Sequence, residues 1–483
     1  MSEEPLLITD VQARVVEELA RIRPVSEELG RRFAAAGEQI ALVGGPVRDA
    51  MLGRLQNDLD FTTSARPEVT EKLLEGWADA TWDIGRAFGT IGCRRGEWQV
   101  EITTWRSEAY DSDSRKPQVQ YGDSLAGDLV RRDFTVNAMA LVLPENRLED
   151  PFGGVVDLAH RVLRTPGRPE DSFSDDPLRM MRAARFAAQL GFTVAPEVVE
   201  AMTGMADRIS IVSAERVRDE LVKLVVSPDP VRGLRLMVET GLAAYVLPEL
   251  PALALERDEH HRHKDVYEHT LTVLEQSIDL EDRLADLSGG GPDFVARFAA
   301  LMHDVGKPRT RRFGDDGVVT FHHHDVVGAK ITRRRMQALR FSRDQTDAVA
   351  QLVEQHLRFH GYGSGEWTDS AVRRYVRDAG DQLERLHVLT RADCTTRNRR
   401  KAERLRRTYD DLEARIERLS SEEELASIRP DLDGNQIMEI LGIGPGREVG
   451  EAYRHLLELR LDRGPMSEDE ARTELLVWAA GRG

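Results

Sequence analysis

The chain has 483 residues, 41% hydrophobic and 31% charged, with a net charge of −17. That length exceeds one hydrophobic core and implies several domains of a soluble protein, while the acidic balance argues against a protein that coats nucleic acid non-specifically. No apolar run of about 18 residues and no basic-then-apolar N-terminus is present, so neither a membrane span nor a signal peptide is expected, and two distant cysteines, Cys93 and Cys394, fit a reducing cytoplasm.

Val11, Val15, Leu19 and Ile22 recur at helical spacing, so residues 1–40 read as helical. Ile40-Ala-Leu-Val43 reads as a short buried strand running into Gly44-Gly45-Pro-Val-Arg48. Two glycines let backbone approach a phosphate, and Arg48 with a helix N-terminus supplies positive charge to it. Asp58–Thr62 is the second strand. Asp58 and Asp60 are two apart, so both carboxylates face one side of it. Paired carboxylates beside a phosphate cradle suit Mg²⁺, which favours oxygen ligands and bridges to substrate phosphates. A Gly-Gly alone is usually a turn, and a lone Asp-x-Asp is usually a solvated loop. Their order within one strand–helix–strand unit carries the functional reading.

Trp98–Trp105 alternates as a third strand, with Glu101 either a third carboxylate or core-strand support. Residues 109–127, rich in Asp, Ser, Arg and Pro, read as a mobile loop over the site. Order returns at Leu129, and Asp150-Pro-Phe-Gly-Gly154 is turn chemistry. From Asp175 onward the pattern is helical almost throughout, so the fold class is α+β, a sheet-containing head followed by an all-helical body.

Leu129-Val-Arg131-Arg132-Asp133-Phe-Thr-Val-Asn137 sets two arginines and an Asp beside a conformationally special Asn. In Asp175-Asp176-Pro-Leu-Arg179-Met-Met-Arg182-Ala-Ala-Arg185, a helix would place Asp176, Arg179, Arg182 and Arg185 on a slanting polar stripe. One reading is a surface salt ladder, Asp176 with Arg179 at i,i+3. The other is base recognition. Cytosine and adenine each present an amino donor beside a ring-nitrogen acceptor. An accepting Asp and a donating Arg match that edge and clash with uracil and guanine.

Together these motifs resemble the class II tRNA nucleotidyltransferases of bacteria, the CCA-adding enzymes, whose head shares the polymerase-beta-like palm. The resemblance implies a nucleotidyltransferase head over 20–165, a helical neck with the base-selecting motif over 166–252, an HD domain over 253–400 and a tRNA-binding tail over 401–483. The family's head motifs fall on Gly44, Gly45, Arg48, Asp58, Asp60 and Arg132-Asp133. Its base-selecting Glu-Asp-x-x-Arg falls on Asp175-Asp176-Pro-Leu-Arg179, with Asp in place of the first Glu. It further implies that Arg182 and Arg185 contact the nucleotide, and that Glu215-Arg-Val-Arg218-Asp-Glu220 is mainly structural. Bacterial poly(A) polymerase shares the head, but Gly85-Arg-Ala-Phe-Gly-Thr-Ile-Gly92 followed by Val100–Arg106 resembles the CCA-adding pattern.

Further on, His269, the adjacent pair His303-Asp304, His324, His356 and Asp393 resemble the metal ligands of an HD domain. Imidazole with carboxylate suits Mn, Fe, Ni, Co or Zn, and such a centre can activate water against a phosphoester. His260, His261 and His263 read as solvated. The expectation is an enzyme that adds C, C and A to tRNA from CTP and ATP with two Mg²⁺ on Asp58 and Asp60. Its rivals are an HD phosphohydrolase with a nucleotide-sensing head, and relatives that add only CC or only A.

Overall fold

The computed structural model describes residues 8–83, 85–109, 118–122, 124–254, 266–314, 319–359, 362, 367–395, 399–423 and 429–482. They form two compact units, one running to Val246 and the other from Leu247. His260, His261 and His263 lie outside the described residues.

The first unit opens with α1 (Ile8–Ala35) and a seven-stranded sheet. In chain order its strands are β1 (Ile40–Val43), β2 (Asp58–Thr63), β3 (Ala80–Trp82), β4 (Thr90–Arg95) and β5 (Trp98–Thr104), then β8 (Ala140–Leu143) and β9 (Arg147–Glu149). They lie side by side as β3-β4-β5-β2-β1-β8-β9. Only β2 and β5 pair in parallel; every other neighbour is antiparallel. All four residues of β1 are buried, between β2 and β8 in the sheet interior. In β2 Leu59 is buried between exposed Asp58 and Asp60, the period-two pattern of a strand with one wet face.

The intervening β6 (Arg106–Ala109) and β7 (Gln118–Tyr121) form an antiparallel hairpin. This corrects the reading of 109–127 as a loop. Ladder hydrogen bonds run through backbone groups, so a polar, Pro-containing stretch pairs without apolar anchors. Positions 110–117 lie outside the described residues. The sequence reading also passed over β3 and β4. Gly92 in β4 is forced by packing: a Cβ there would stand 1.9 Å from the Trp82 indole nitrogen.

The head's helices are α2 (Gly45–Met51), α3 (Pro67–Leu74), α4 (Leu125–Val130) and α5 (Gly154–His160). Asp150 caps α5, accepting from the Gly154 and Val155 amides. Then come α6 (Pro169–Asp175), α7 (Leu178–Leu190), α8 (Pro196–Met205), α9 (Ala214–Val225), α10 (Pro230–Glu239) and α11 (Ala243–Val246), with the short parallel pair β10 (Val162–Leu163) and β11 (Thr193–Val194). The packing of α7 on α10 depends on Gly233, where a Cβ would meet the Ala184 carbonyl at 2.5 Å. Phe33, Phe61, Phe134 and Phe173 are fully buried in this unit.

The second unit is helical apart from β12 (Arg312–Phe313) and β13 (Val319–Thr320). Its helices are α12 (Val266–Asp279), α13 (Ala285–Ser288), α14 (Phe294–Met302), α15 (Lys307–Thr310), α16 (His324–Ala338), α17 (Arg343–Gln355), α18 (Asp369–Ala379) and α19 (Leu383–Ala392). After them come α20 (Arg399–Glu423), α21 (Gly434–Leu441), α22 (Arg447–Arg463) and α23 (Glu468–Ala480). The last three close over a separate small core of Leu432, Ile437, Ala452, Leu456, Ala471 and Leu475. Among the described residues no helix is long and apolar enough to cross a membrane.

Candidate active site

An open cavity of 440 Å³ in the first unit is lined by the glycine turn, Asp60, Asp176 and seven arginines. Gly44 takes φ +73°, a left-handed conformation that favours glycine. A Cβ on it would lie 2.7 Å from Arg132 Nη1, so the bare backbone is what lets Arg132 lean over the turn. Arg48 is buried and already engaged. Its Nε and Nη2 donate to Asp49 at 3.0 and 2.7 Å, and its Nη1 donates to Asn137 Oδ1 at 2.6 Å.

Asn137 passes the linkage on, donating from Nδ2 to Asp133 Oδ1 at 2.9 Å. Asp133 also accepts from the Phe134 amide and from Arg182 Nε at 2.7 Å. Burial opposes its charge, but Arg182 and these hydrogen bonds outweigh it and hold its carboxyl well below the usual carboxylate range. Arg185 donates to Glu220 at 2.6 Å and to Gln189 at 2.8 Å, with its guanidinium over Phe186. A continuous chain of hydrogen bonds through Asn137 and of ion pairs, with Arg182 also 3.7 Å from Glu220, therefore ties α2, α7 and α9 beneath the cavity. Asn137 itself lies in a 3-10 turn without positive φ, so its distinction is this relay and not an unusual conformation.

Asp58 and Asp60 share the exposed face of β2, and the register sets Glu101 of β5 directly beside Asp60. Asp60 keeps solvent access through the cavity although protein surrounds it on most sides. Its carboxyl is shifted upward by burial, with Glu101 and Asp58 adding and Arg132 opposing. Three carboxylates on one face, one of them already reluctant to ionise, fit a site completed by divalent cations.

The expected helical pair of Asp176 with Arg179 does not form. Pro177 makes α7 begin at Leu178, and Asp176 is left in extended backbone outside the helix. Its Oδ1 accepts from the Leu178 amide at 3.1 Å and its Oδ2 from Arg216 Nη2 at 2.7 Å. Arg179 donates to Ser172 Oγ at 2.8 Å and to the Arg131 carbonyl. The salt ladder is therefore replaced by two separately anchored groups facing one cavity. Arg179, Arg182 and Arg185 do follow one another along α7, and all three line that space. Arg216, Phe186 and Gln189 line it too and were not singled out. Arg216 and Glu220 had a legible signal, being four apart on α9 and so on one face. Asp58 and Glu101 do not line the cavity.

In the second unit the six expected ligands converge. Ligand atoms of His269, His303 and Asp393 lie within 4.8 Å of one another, as do those of Asp304, His324 and His356. His303 Nε2 stands 3.2 Å from Asp304 Oδ2, which joins the two triplets. His303, His324 and His356 sit at helix ends, each with Nδ1 at 2.7–2.8 Å from the carbonyl three residues earlier. A carbonyl only accepts, so each Nδ1 carries the proton and each Nε2 is left as a lone pair. Those three Nε2 atoms are buried without a hydrogen-bond partner. That is costly unless a ligand satisfies them. Burial lowers His356 to about 4, keeping it neutral. Burial opposes ionisation of Asp304, but His303, His324 and Lys307 hold it well below its usual value. A neutral His356 beside an ionised Asp304 has the protonation states a transition metal requires, whereas at His303 burial is outweighed by Asp304 and Asp393, which favour its protonated form while no cation is present. Gly306 makes the approach possible, since a Cβ there would meet the His324 carbonyl at 2.0 Å.

Three family models match: the poly A polymerase head domain over residues 40–164, a probable RNA and SrmB-binding site of polymerase A over 191–253, and the HD domain over 266–398. An A-adding tRNA nucleotidyltransferase of Deinococcus radiodurans is 35% identical over 446 residues, 91% of this chain and 95% of its own. A CC-adding tRNA nucleotidyltransferase of Thermus thermophilus is 32% identical over 448 residues, 91% and 94% of the two chains. Among solved structures, the Bacillus stearothermophilus CCA-adding enzyme in complex with CTP superposes with a TM-score of 0.65 at 25% identity, covering 94% of this chain and 96% of that one.

Proposed function

This chain belongs to the tRNA nucleotidyltransferase family, and we propose that it adds C, C and A in turn to the 3′ end of tRNA from CTP and ATP. In each step the terminal ribose oxygen bonds to the α-phosphorus, pyrophosphate leaves, and the hydroxyl proton is given up. One observation carries the reading. The glycine turn, Asp60, Asp176 and Arg179 line a single cavity, so a triphosphate seat, metal-binding carboxylate and base-edge readers serve one nucleotide.

Asp58 and Asp60, with Glu101 beside them, would hold Mg²⁺, which when bound neutralises triphosphate charge and acidifies the attacking hydroxyl. The chain's own residues do the rest. Gly44 and Gly45 leave backbone open to phosphate, and Arg132 leans over them. Each Asp176 oxygen accepts one hydrogen bond and has a lone pair to spare for an amino group. Arg179 keeps N–H groups beyond those given to Ser172 and Arg131. Arg48, Arg182 and Arg185 are committed to acids, so they hold the wall in place and contribute a fixed positive field.

We place the HD centre's ligands on His269, His303, Asp304, His324, His356 and Asp393. The three orphaned Nε2 atoms support a transition metal among Mn, Fe, Ni, Co and Zn, which when bound would activate water against a phosphoester. The compartment on this reading is the cytoplasm, in keeping with two free thiols.

The test is tRNA lacking its last three residues, incubated with each NTP alone and with CTP plus ATP, and sized at single-nucleotide resolution. Two additions with CTP, three with both and none with ATP alone are expected. A stop after two with both present would make it a CC-adding enzyme. Extension only of tRNA already ending in CC would make it an A-adding one. The full-length relatives carry those two names, which is why both arms are needed.

A further inference from the structure

We propose that the indole of Trp82 is the platform on which the last base of the RNA stacks, the base of the nucleotide whose ribose hydroxyl is extended. The register of the sheet places it there. Trp82 of β3 pairs with Gly92 of β4, Gly92 with Glu101 of β5, and Glu101 with Asp60 of β2. Residues paired directly across strands point to the same face. Trp82, Gly92, Glu101 and Asp60 therefore form one row on the face that carries the carboxylates. At Gly92 that row has no side chain, and the five-membered ring of the indole lies over the gap. A Cβ there would stand 1.9, 2.3 and 2.7 Å from Nε1, Cε2 and Cδ1 of Trp82. Neighbouring strands are about 4.8 Å apart, so the indole rests about 10 Å from the strand of Asp60, beside Glu101. Trp82 is half-buried on an edge strand, and its indole enters no hydrogen bond or ring contact among the described residues.

The direction of the reaction assigns the occupant. The glycine turn follows β1, which flanks β2 on one side, and Glu101 belongs to β5, which flanks it on the other. In nucleotidyl transfer the attacking and leaving oxygens lie roughly in line across the phosphorus. With the triphosphate seated at the glycine turn, pyrophosphate departs toward β1 and the ribose hydroxyl arrives from the β5 side. The nucleotide that carries this hydroxyl then lies over Glu101 and Gly92, with its base at the indole. The incoming base is held elsewhere, since Asp176 and Arg179 line the cavity and Trp82 does not. An aromatic ring suits an RNA end whose last base changes as C, C and A are added, because stacking accepts every base. Glycine in a strand interior weakens it and marks a place where something approaches closely. Here any side chain at position 92 would lift the indole off the sheet. The structural alternative is that the indole merely covers an exposed glycine.

The inference rests on the tRNA nucleotidyltransferase reading and assigns the RNA end to one side chain. The probes are tRNA lacking its last three residues and the same RNA with the base of its terminal nucleotide removed, both extended with CTP. In the wild type, removing the base should lower kcat/KM for the RNA roughly tenfold. Trp82→Ala should lose a similar factor on intact RNA and become indifferent to the base. Trp82→Leu, which keeps an apolar cover without a π-face, should behave as Trp82→Ala does, and Trp82→Phe should restore most of the activity and of the sensitivity to the base. KM for CTP should be the same in all of them. An indole that only covers Gly92 predicts equal losses on the two RNAs. Alanine and leucine variants that keep the wild-type sensitivity to the base therefore overturn the proposal, as does a wild type that extends both RNAs equally well. Either result, with intact tRNA extended by the wild type, sinks this inference alone. A wild type that extends neither RNA sinks the reading beneath it.

Discussion

Asp176→Ala is the most discriminating single change in the head. The side chain accepts from the Leu178 amide and from Arg216, and its remaining lone pairs face the cavity. The Arg216–Asp176 pair is partly solvent-exposed, at 53% and 24%, so its loss should move global stability by less than about 1 kcal/mol. Base choice should suffer more. An acceptor that matches the amino edges of C and A and repels the carbonyl edges of U and G is worth about 1–3 kcal/mol, or roughly ten- to a hundred-fold in selectivity. Triphosphate binding should change little, because the glycine turn and Asp60 lie elsewhere in the cavity. Arg216→Ala gives the graded control: Asp176 keeps its bond to the Leu178 amide, so discrimination should fall by less than in Asp176→Ala. The assay is kcat/KM for all four NTPs on tRNA lacking its last three residues and on tRNA ending in CC. CTP/UTP and ATP/GTP ratios equal to wild type in Asp176→Ala would refute base reading by this residue.

Asp58→Ala or Asp60→Ala should abolish nucleotide addition by orders of magnitude with an unchanged thermal midpoint, since both sit exposed on a strand whose core residues are Leu59 and Phe61; near wild-type incorporation in Mg²⁺ would defeat the carboxylate assignment. The same variants separate the rival reading, because an HD phosphohydrolase with a sensing head would keep its activity on nucleic-acid substrates. His303→Ala or Asp304→Ala should lose bound transition metal by elemental analysis while retaining CCA addition. Asp133→Asn should destabilise the fold by about 2–3 kcal/mol at neutral pH, below the usual penalty for breaking a buried pair because Arg182 keeps some solvent access. The folded-state carboxyl is depressed, so this stabilisation is present above the unfolded pKa of about 3.9 and fades as pH falls through the folded value. Urea unfolding across that range should show wild type converging on the variant in acid.

The parts of the site written in residue type were legible in sequence. Two glycines, an Asp-x-Asp strand and six His and Asp positions can be recognised because few side chains do their chemistry. Strand alternation likewise exposed β2 and β5. What escaped was partnership. Arg48 meets Asn137 across 89 positions, Arg179 meets the Arg131 carbonyl across 48, and His269 meets Thr395 across 126. No local pattern encodes such distances. The Asp176–Arg179 ladder failed for a local reason with a nonlocal consequence: Pro177 ended the preceding backbone geometry, and Arg216 from α9 took the freed carboxylate. The β6–β7 hairpin escaped because its pairing lies in backbone groups and its side chains carry little hydrophobic signal.

The chain has only seven lysines, and its arginines fall into two working states that an acidic protein handling polyanions needs to keep apart. In the cavity, Arg48, Arg182 and Arg185 are locked by Asp49, Asp133 and Glu220, so their positive field is set before a nucleotide arrives. A field that is already oriented needs no reorganisation when charge shifts to the leaving pyrophosphate, and that is where electrostatic catalysis gains most. Locking also limits what such an arginine can do, because its donors are spent and its reach is fixed. A backbone of many equivalent phosphates calls for the opposite, cations free to swing among oxygens with no single correct geometry. Arg399, Arg400, Arg404 and Arg406 of α20 are exposed and make no ion pair among the described residues, the opposite state to the cavity set. Loosening the cavity set would blur base selection, because the wall against which the nucleotide is read would no longer be fixed.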